Sequence, residues 1–130
     1  MYLQVPAERA SRLGFDRGSR IKQGRDFRRL RELGQRRSGG CVIANWLRLT
    51  ESSRSRLGVI TSGKLGPAVV RNRARRLLRE SFRLHQRELA QPVDLVLVAR
   101  ASIVGKPFAE VEKDVLTTLR KAGLLKDTAG

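Results

Sequence analysis

The run Val93-Asp94-Leu95-Val96-Leu97-Val98-Ala99-Arg100 constrains this chain more than any other stretch. It is nearly continuously apolar and rich in β-branched residues, which predicts a central strand covered by helices. Gln91-Pro92 before it ends a preceding helix, because proline cannot continue one. Pro107 after it starts another, in which Phe108, Val111, Val115, Leu116 and Leu119 recur at helical spacing until Gly123.

The helix before this strand is predicted over 72–89. Ala74, Leu77, Leu78, Ser81 and Phe82 make its buried stripe, with His85 at the margin. Asn72, Arg75, Arg76, Arg79 and Arg83 fall on the outer side, where Arg76 can pair with Glu80 one turn on. Asn72 suits the helix start, as a cap or as a hydrogen-bonding group for a nucleotide. Leu57-Gly58-Val59-Ile60-Thr61 reads as a strand that delivers the chain into this helix through Ser62–Pro67, with a brief further strand possible at Ala68-Val69-Val70. Upstream, Cys41–Thr50 reads as a strand joined to the next by a hairpin at Glu51–Ser55. Phe27, Leu30 and Leu33 mark a helix over 25–34 with Asp26 in its first turn, and Gln35–Gly40 reads as a basic, flexible turn. Residues 1–19 show no periodicity and read as a basic arm. The organisation predicted is therefore an arm (1–19), one α+β domain (20–123) and a short tail (124–130), with four strands in one mixed or antiparallel sheet.

Charge says what such a domain meets. Lys plus Arg number 28 against 12 Asp plus Glu, a formal net charge of +16. This self-repulsion costs stability, and a phosphate backbone offsets it through counterion release. An anionic membrane would call for an amphipathic segment with aromatic anchors, but only 5% of residues are aromatic and no long apolar run exists. The single Cys41 forms no internal disulfide and suits a reducing, cytoplasmic compartment.

Catalytic chemistry is not visible in the residues. His85 has no Cys or Asp beside it for a triad, so it reads as a half-buried structural histidine. The acids are dispersed, and Glu110, Glu112 and Asp114 complement a helix start before they suggest a metal site. Gly58, Gly63 and Gly66 match neither a P-loop nor a dinucleotide fingerprint. Binding remains. Arg71, Arg73, Arg75, Arg76, Arg79 and Arg83 crowd one helix with Glu80 as the only acid among them, whereas a solvated face mixes signs. Lys64, among small residues, lets a backbone approach phosphates. Phe27 and Trp46 fit either the core or a surface that stacks on single-stranded bases.

Arg56-Leu57-Gly58-Val59, Lys64-Leu65-Gly66 and Ala68 through Phe82, with Arg71-Asn72-Arg73 at its centre, closely resemble the signature of the bacterial ribonuclease P protein subunit. Asp26-Phe27 resembles the family's acidic-Phe pair in the first helix, and Asp94–Arg100 its last strand. The likeness spans roughly residues 20–122. It implies a two-layer α/β sandwich of order αβββαβα with a left-handed crossover around the basic helix, against the usual right-handed rule. It also implies an accessory role: an RNA subunit using Mg²⁺ is the catalyst that removes the 5′ leader of precursor tRNA, and no further protein partner is required. In that frame Lys64, Arg71, Asn72, Arg73, Arg75, Arg76, Arg79 and Arg83 contact the catalytic RNA. Phe27, Arg31, Asn45 and Trp46 are the leader-cleft candidates. Arg31 stands where the family often has a second aromatic. Asn45 falls near another commonly aromatic position, with Trp46 one residue on and so pointing to the opposite face. Gly63 precedes Lys64 where the family has a basic pair. A ribosomal-type RNA binder is the alternative on the same frame, and a self-sufficient nuclease would need a carboxylate cluster that the sequence lacks.

Overall fold

The structure, a computed structural model, describes residues 21, 24–50 and 54–126, with the backbone of a short antiparallel pair, Ala7–Glu8 and Ala10–Ser11. The rest of the basic arm and residues 127–130 lie outside the described residues. The elements run α1 (Gly24–Leu33), β1 (Gln35–Gly39), β2 (Val42–Arg48), β3 (Arg56–Ile60), α2 (Ala68–His85), β4 (Val93–Ala99) and α3 (Phe108–Lys121).

One four-stranded sheet has the order β1-β2-β4-β3. The β4 strand sits inside it, antiparallel to β2 (Trp46 opposite Leu95) and parallel to β3 (Leu57 opposite Leu95). Alternation along β4 divides its side chains. Val93, Leu95, Leu97 and Ala99 join the main core with Leu78 and Phe82 of α2 and Val111, Val115 and Leu119 of α3. Val96 and Val98 point the other way, to Leu30 and Phe27 of α1 and to Ile21. The sheet thus packs two helices on one face, while α1 lies over part of the other.

Three expectations about the strands change. Gln35–Gly39 is not a turn but the edge strand β1, paired antiparallel with β2. Four of its five side chains are exposed, so it has no apolar alternation to betray it. The two-residue turn Gly40-Cys41 fixes its register, with Gly40 at φ +57°. The connection 51–55 is not a hairpin, because β2 and β3 are not neighbours; β4 is inserted between them. Ala68-Val69-Val70 is not a strand but the first turn of α2, entered from Pro67 at φ −65°.

The chain beyond α3 also packs. Leu124 is buried, Ala90 N–H donates to Leu124 O at 2.8 Å, and Lys126 N–H donates to Glu88 O at 2.7 Å. Residues 124–126 therefore belong to the folded unit rather than to a tail. Cys41 is fully buried where β2 begins. Burial, with the Asp114 carboxylate beside it, pushes its thiol up to about 12. No helix among the described residues is long and apolar enough to cross a membrane.

Candidate nucleic-acid interface

Because α2 starts at Ala68, its Arg-Asn-Arg segment lies in the first turns of the helix. Asn72 is therefore not the cap. It is exposed, and its Oδ1 accepts from Arg75 Nη1 at 2.9 Å. Three other arginines are held differently. Arg71 Nε donates to Gly66 O at 3.3 Å, which fastens the glycine turn to the helix. Arg73 Nη2 donates to Lys106 O at 3.0 Å, across to the turn after β4. Arg83 takes both oxygens of Glu80, through Nε at 2.9 Å and Nη2 at 2.5 Å, and holds that carboxyl below its usual range. The expected Arg76–Glu80 pair is thus replaced by Arg83–Glu80. Arg76 is exposed and makes no ion pair among the described residues. Arg79 is half-buried on the same helix.

Between Lys64 and Arg79 no carboxylate interrupts the cationic run, and Lys64 is exposed in the 3₁₀ turn Gly63–Leu65. That turn begins where Ser62 Oγ accepts from Lys64 N–H at 3.3 Å. It carries the chain around the sheet edge, from Ile60 at the end of β3 to α2.

On the opposite face, α1 and the sheet enclose an open groove of about 430 Å³. Val96, Val98 and Ile43 form its floor, Phe27 and Leu30 line its α1 side, and Ile60 lies toward the β3 edge. Arg28, Arg31 and Arg36 place guanidinium groups around it, and Asn45 puts an amide on the floor opposite Arg36 in the β1–β2 ladder. The groove therefore brings together Phe27, Arg31 and Asn45. It excludes Trp46, which alternation along β2 sends into the main core at 4% exposure. Trp46, expected beside Phe27, Arg31 and Asn45, therefore does not line this groove.

The seat of Phe27 depends on a residue with no side chain. A Cβ at Gly58 would stand 3.0 Å from Phe27 Cε1 and 3.1 Å from Cζ, so only glycine lets the ring lie this close to β3. Arg56, two residues earlier, reaches Asp26 at 3.5 Å and ties β3 to the residue before Phe27. The sequence alone does not pick out Arg28 or Arg36 for this groove, although each is a cation within a few positions of an aromatic or a glycine turn. Nor does it give Arg56 and Gly58 a structural task.

The comparisons with known proteins agree with this frame. The family model described as Ribonuclease P matches residues 15–123. The chain belongs to the ribonuclease P protein family. The ribonuclease P protein component of Syntrophomonas wolfei is 39% identical over 114 residues, covering 88% of this chain and 95% of that one. The ribonuclease P protein component of Gluconacetobacter diazotrophicus is 38% identical over 112 residues, covering 84% and 95%. Among solved structures, the RNase P protein of Staphylococcus aureus superposes with a TM-score of 0.76 at 27% identity, over 83% of this chain and 98% of that one. The RNase P protein of Thermotoga maritima gives 0.71 at 24%, over 78% and 96%, a likeness of fold. Outside the interface, His85 bridges α2 and α3 through Nε2 to Glu112 at 2.7 Å and Nδ1 to Glu88. Burial alone would lower its pKa, but the two carboxylates outweigh it and raise it. Among the described residues no group of three or more His, Cys, Asp or Glu could hold a metal ion.

Proposed function

We propose that this ribonuclease P family protein is the accessory subunit that docks on the catalytic RNA through α2 and holds the 5′ leader of precursor tRNA in the groove under α1. The observation that carries this reading is the pair of cationic surfaces on opposite faces of one sheet. Lys64, Arg71, Asn72, Arg73, Arg75, Arg76, Arg79 and Arg83 supply the first surface; its phosphate contacts give affinity and salt dependence. Phe27, Arg28, Arg31, Arg36 and Asn45 supply the second. There one aromatic stacks on an unpaired base, the arginines follow the backbone, and the Asn45 amide reads a base edge.

In this reading the protein contributes position rather than bond-breaking groups. A substrate held at its leader and a ribozyme held at α2 meet in a fixed geometry, which lowers the entropic cost of the encounter. Mg²⁺ belongs to the RNA, where it supplies the chemistry of phosphodiester hydrolysis. The protein's cations also reduce phosphate repulsion between the two RNAs, so its help is greatest when Mg²⁺ is scarce. The compartment is the cytoplasm, where its substrate is made.

Precursor-tRNA cleavage by ribonuclease P RNA at low Mg²⁺, with and without this protein, tests the reading. Cleavage at the mature 5′ end that requires both components is expected. RNA binding without any gain in cleavage would point instead to a structural RNA binder, and cleavage by the protein alone would mean a protein active site.

A further inference from the structure

Beside the cationic face, and sharing Arg73 with it, lies a second cavity. The first turns of α2 and the turn 101–106 enclose about 160 Å³, lined by Val70, Arg73, Ala74, Ile103, Val104 and Gly105. The walls are aliphatic apart from Arg73, whose guanidinium reaches Lys106 O and closes one side. A large apolar side chain stands exposed on each element that forms it: Val69 on α2 is 71% exposed and Val104 48%. Gly105 has φ +85°, and a Cβ there would meet nothing within 4 Å, so the backbone offers open space on that side.

Two valines left in water next to a packed core call for an occupant. Cavities of about 150 Å³ take a single benzene-sized ring, which sets the scale for one flat base and not for a pair. The neighbours on α2 decide the chemistry. Arg73 sits one turn after Val69, and Arg76 follows on the same flank, exposed. An apolar slot beside a guanidinium plane, on a helix with a large excess of cations, matches an unstacked base with its flanking phosphates.

We infer that this cavity receives one unpaired nucleobase of the catalytic RNA, covered by Arg73, with Arg76 on an adjacent phosphate. The inference rests on the reading that α2 docks on that RNA and adds to it a base-sized contact that salt does not screen.

The test uses the full chain with ribonuclease P RNA. Val70→Phe fills the cavity from within α2, and Val104→Ser removes its apolar wall from an exposed position that the fold tolerates. Each is expected to weaken RNA binding about tenfold, the order that one stacked base supplies, with an unchanged slope of affinity against salt. Unchanged affinity in Val104→Ser, with circular dichroism confirming its fold, overturns the inference. A photocrosslinker on Val69→Cys gives an independent readout, since buried Cys41 does not compete for the reagent. The expected product is a crosslink to one unpaired nucleotide. Crosslinks spread over many nucleotides, or joining two protein chains, overturn it. If wild-type protein shows no salt-dependent binding to this RNA, the docking reading itself has failed, which is a distinct result.

Discussion

Arg56 grips both oxygens of the Asp94 carboxylate, through Nε at 2.9 Å and Nη2 at 2.7 Å. Asp94 is only 2% exposed and lies beside Arg56 in the parallel β3–β4 pairing. With its remaining amine toward Asp26, Arg56 joins the central strand, the edge strand and α1. This arginine spends its charge inside the protein, unlike the exposed cations of α2.

Arg56→Met is expected to destabilise the fold by about 3 kcal/mol, because it leaves a buried carboxylate without its partner. The figure stands at the low end for buried pairs because the Arg56 side chain keeps 30% exposure. Urea unfolding measures it. Arg56→Met with Asp94→Leu should recover most of the loss, since the orphaned charge is then gone. A single variant within about 0.5 kcal/mol of wild type, on the order of a surface change, would show that the pair holds nothing.

Gly58→Ala tests the groove under α1 separately from the α2 face. The added methyl meets Phe27 at 3.0 Å and Ile21 Cβ at 3.3 Å, so the ring must shift. A stability loss of about 1–2 kcal/mol is expected from overpacking. Affinity for precursor tRNA should fall several-fold relative to tRNA lacking a leader, with affinity for the catalytic RNA alone unchanged. Equal losses for both tRNAs would remove Phe27 from the leader site.

What the sequence made legible follows periodicity and charge. The β4 run, the α3 stripe and the arginine helix were readable because each repeats a pattern over many residues. Strand β1 was not, because Gln35, Arg36, Arg37 and Ser38 are exposed and its pairing comes from the Gly40 turn and from β2. The neighbours of β3 were hidden too, since parallel pairing through a crossover leaves no local mark. Trp46 illustrates the opposite case: strand parity placed it across the sheet from Asn45, and the structure buries it. At the candidate interface the α2 cations could be named one by one. The groove's Arg28 and Arg36 came only from the register between β1 and β2 and from the seating of α1.

Arg73→Ala with Arg76→Ala is expected to weaken binding to ribonuclease P RNA and to flatten the plot of log affinity against log salt by about one unit, for the phosphate that Arg76 no longer neutralises. Filter binding across a salt series measures both. Arg56→Met supplies the control, for its cation is internal and its removal should leave the slope unchanged. An unaltered slope in the double variant would take α2 out of the docking surface.

The His85 bridge predicts a pH dependence of stability unrelated to RNA. Its folded pKa is raised by Glu112 and Glu88 above the ordinary value near 6.5. A raised cationic group stabilises fully below its unfolded pKa, and that contribution is lost as pH climbs through the folded one. The melting temperature should therefore decline from about pH 6.5 upward. His85→Gln should lower stability by about 1 kcal/mol at pH 6 and flatten the decline, because the neutral amide keeps a hydrogen bond but carries no charge. Thermal melts of both proteins from about pH 5.5 to pH 9, on the order of the range a histidine spans, decide it. Parallel curves would mean that the two carboxylates hold a neutral imidazole and that the bridge between α2 and α3 is not ionic.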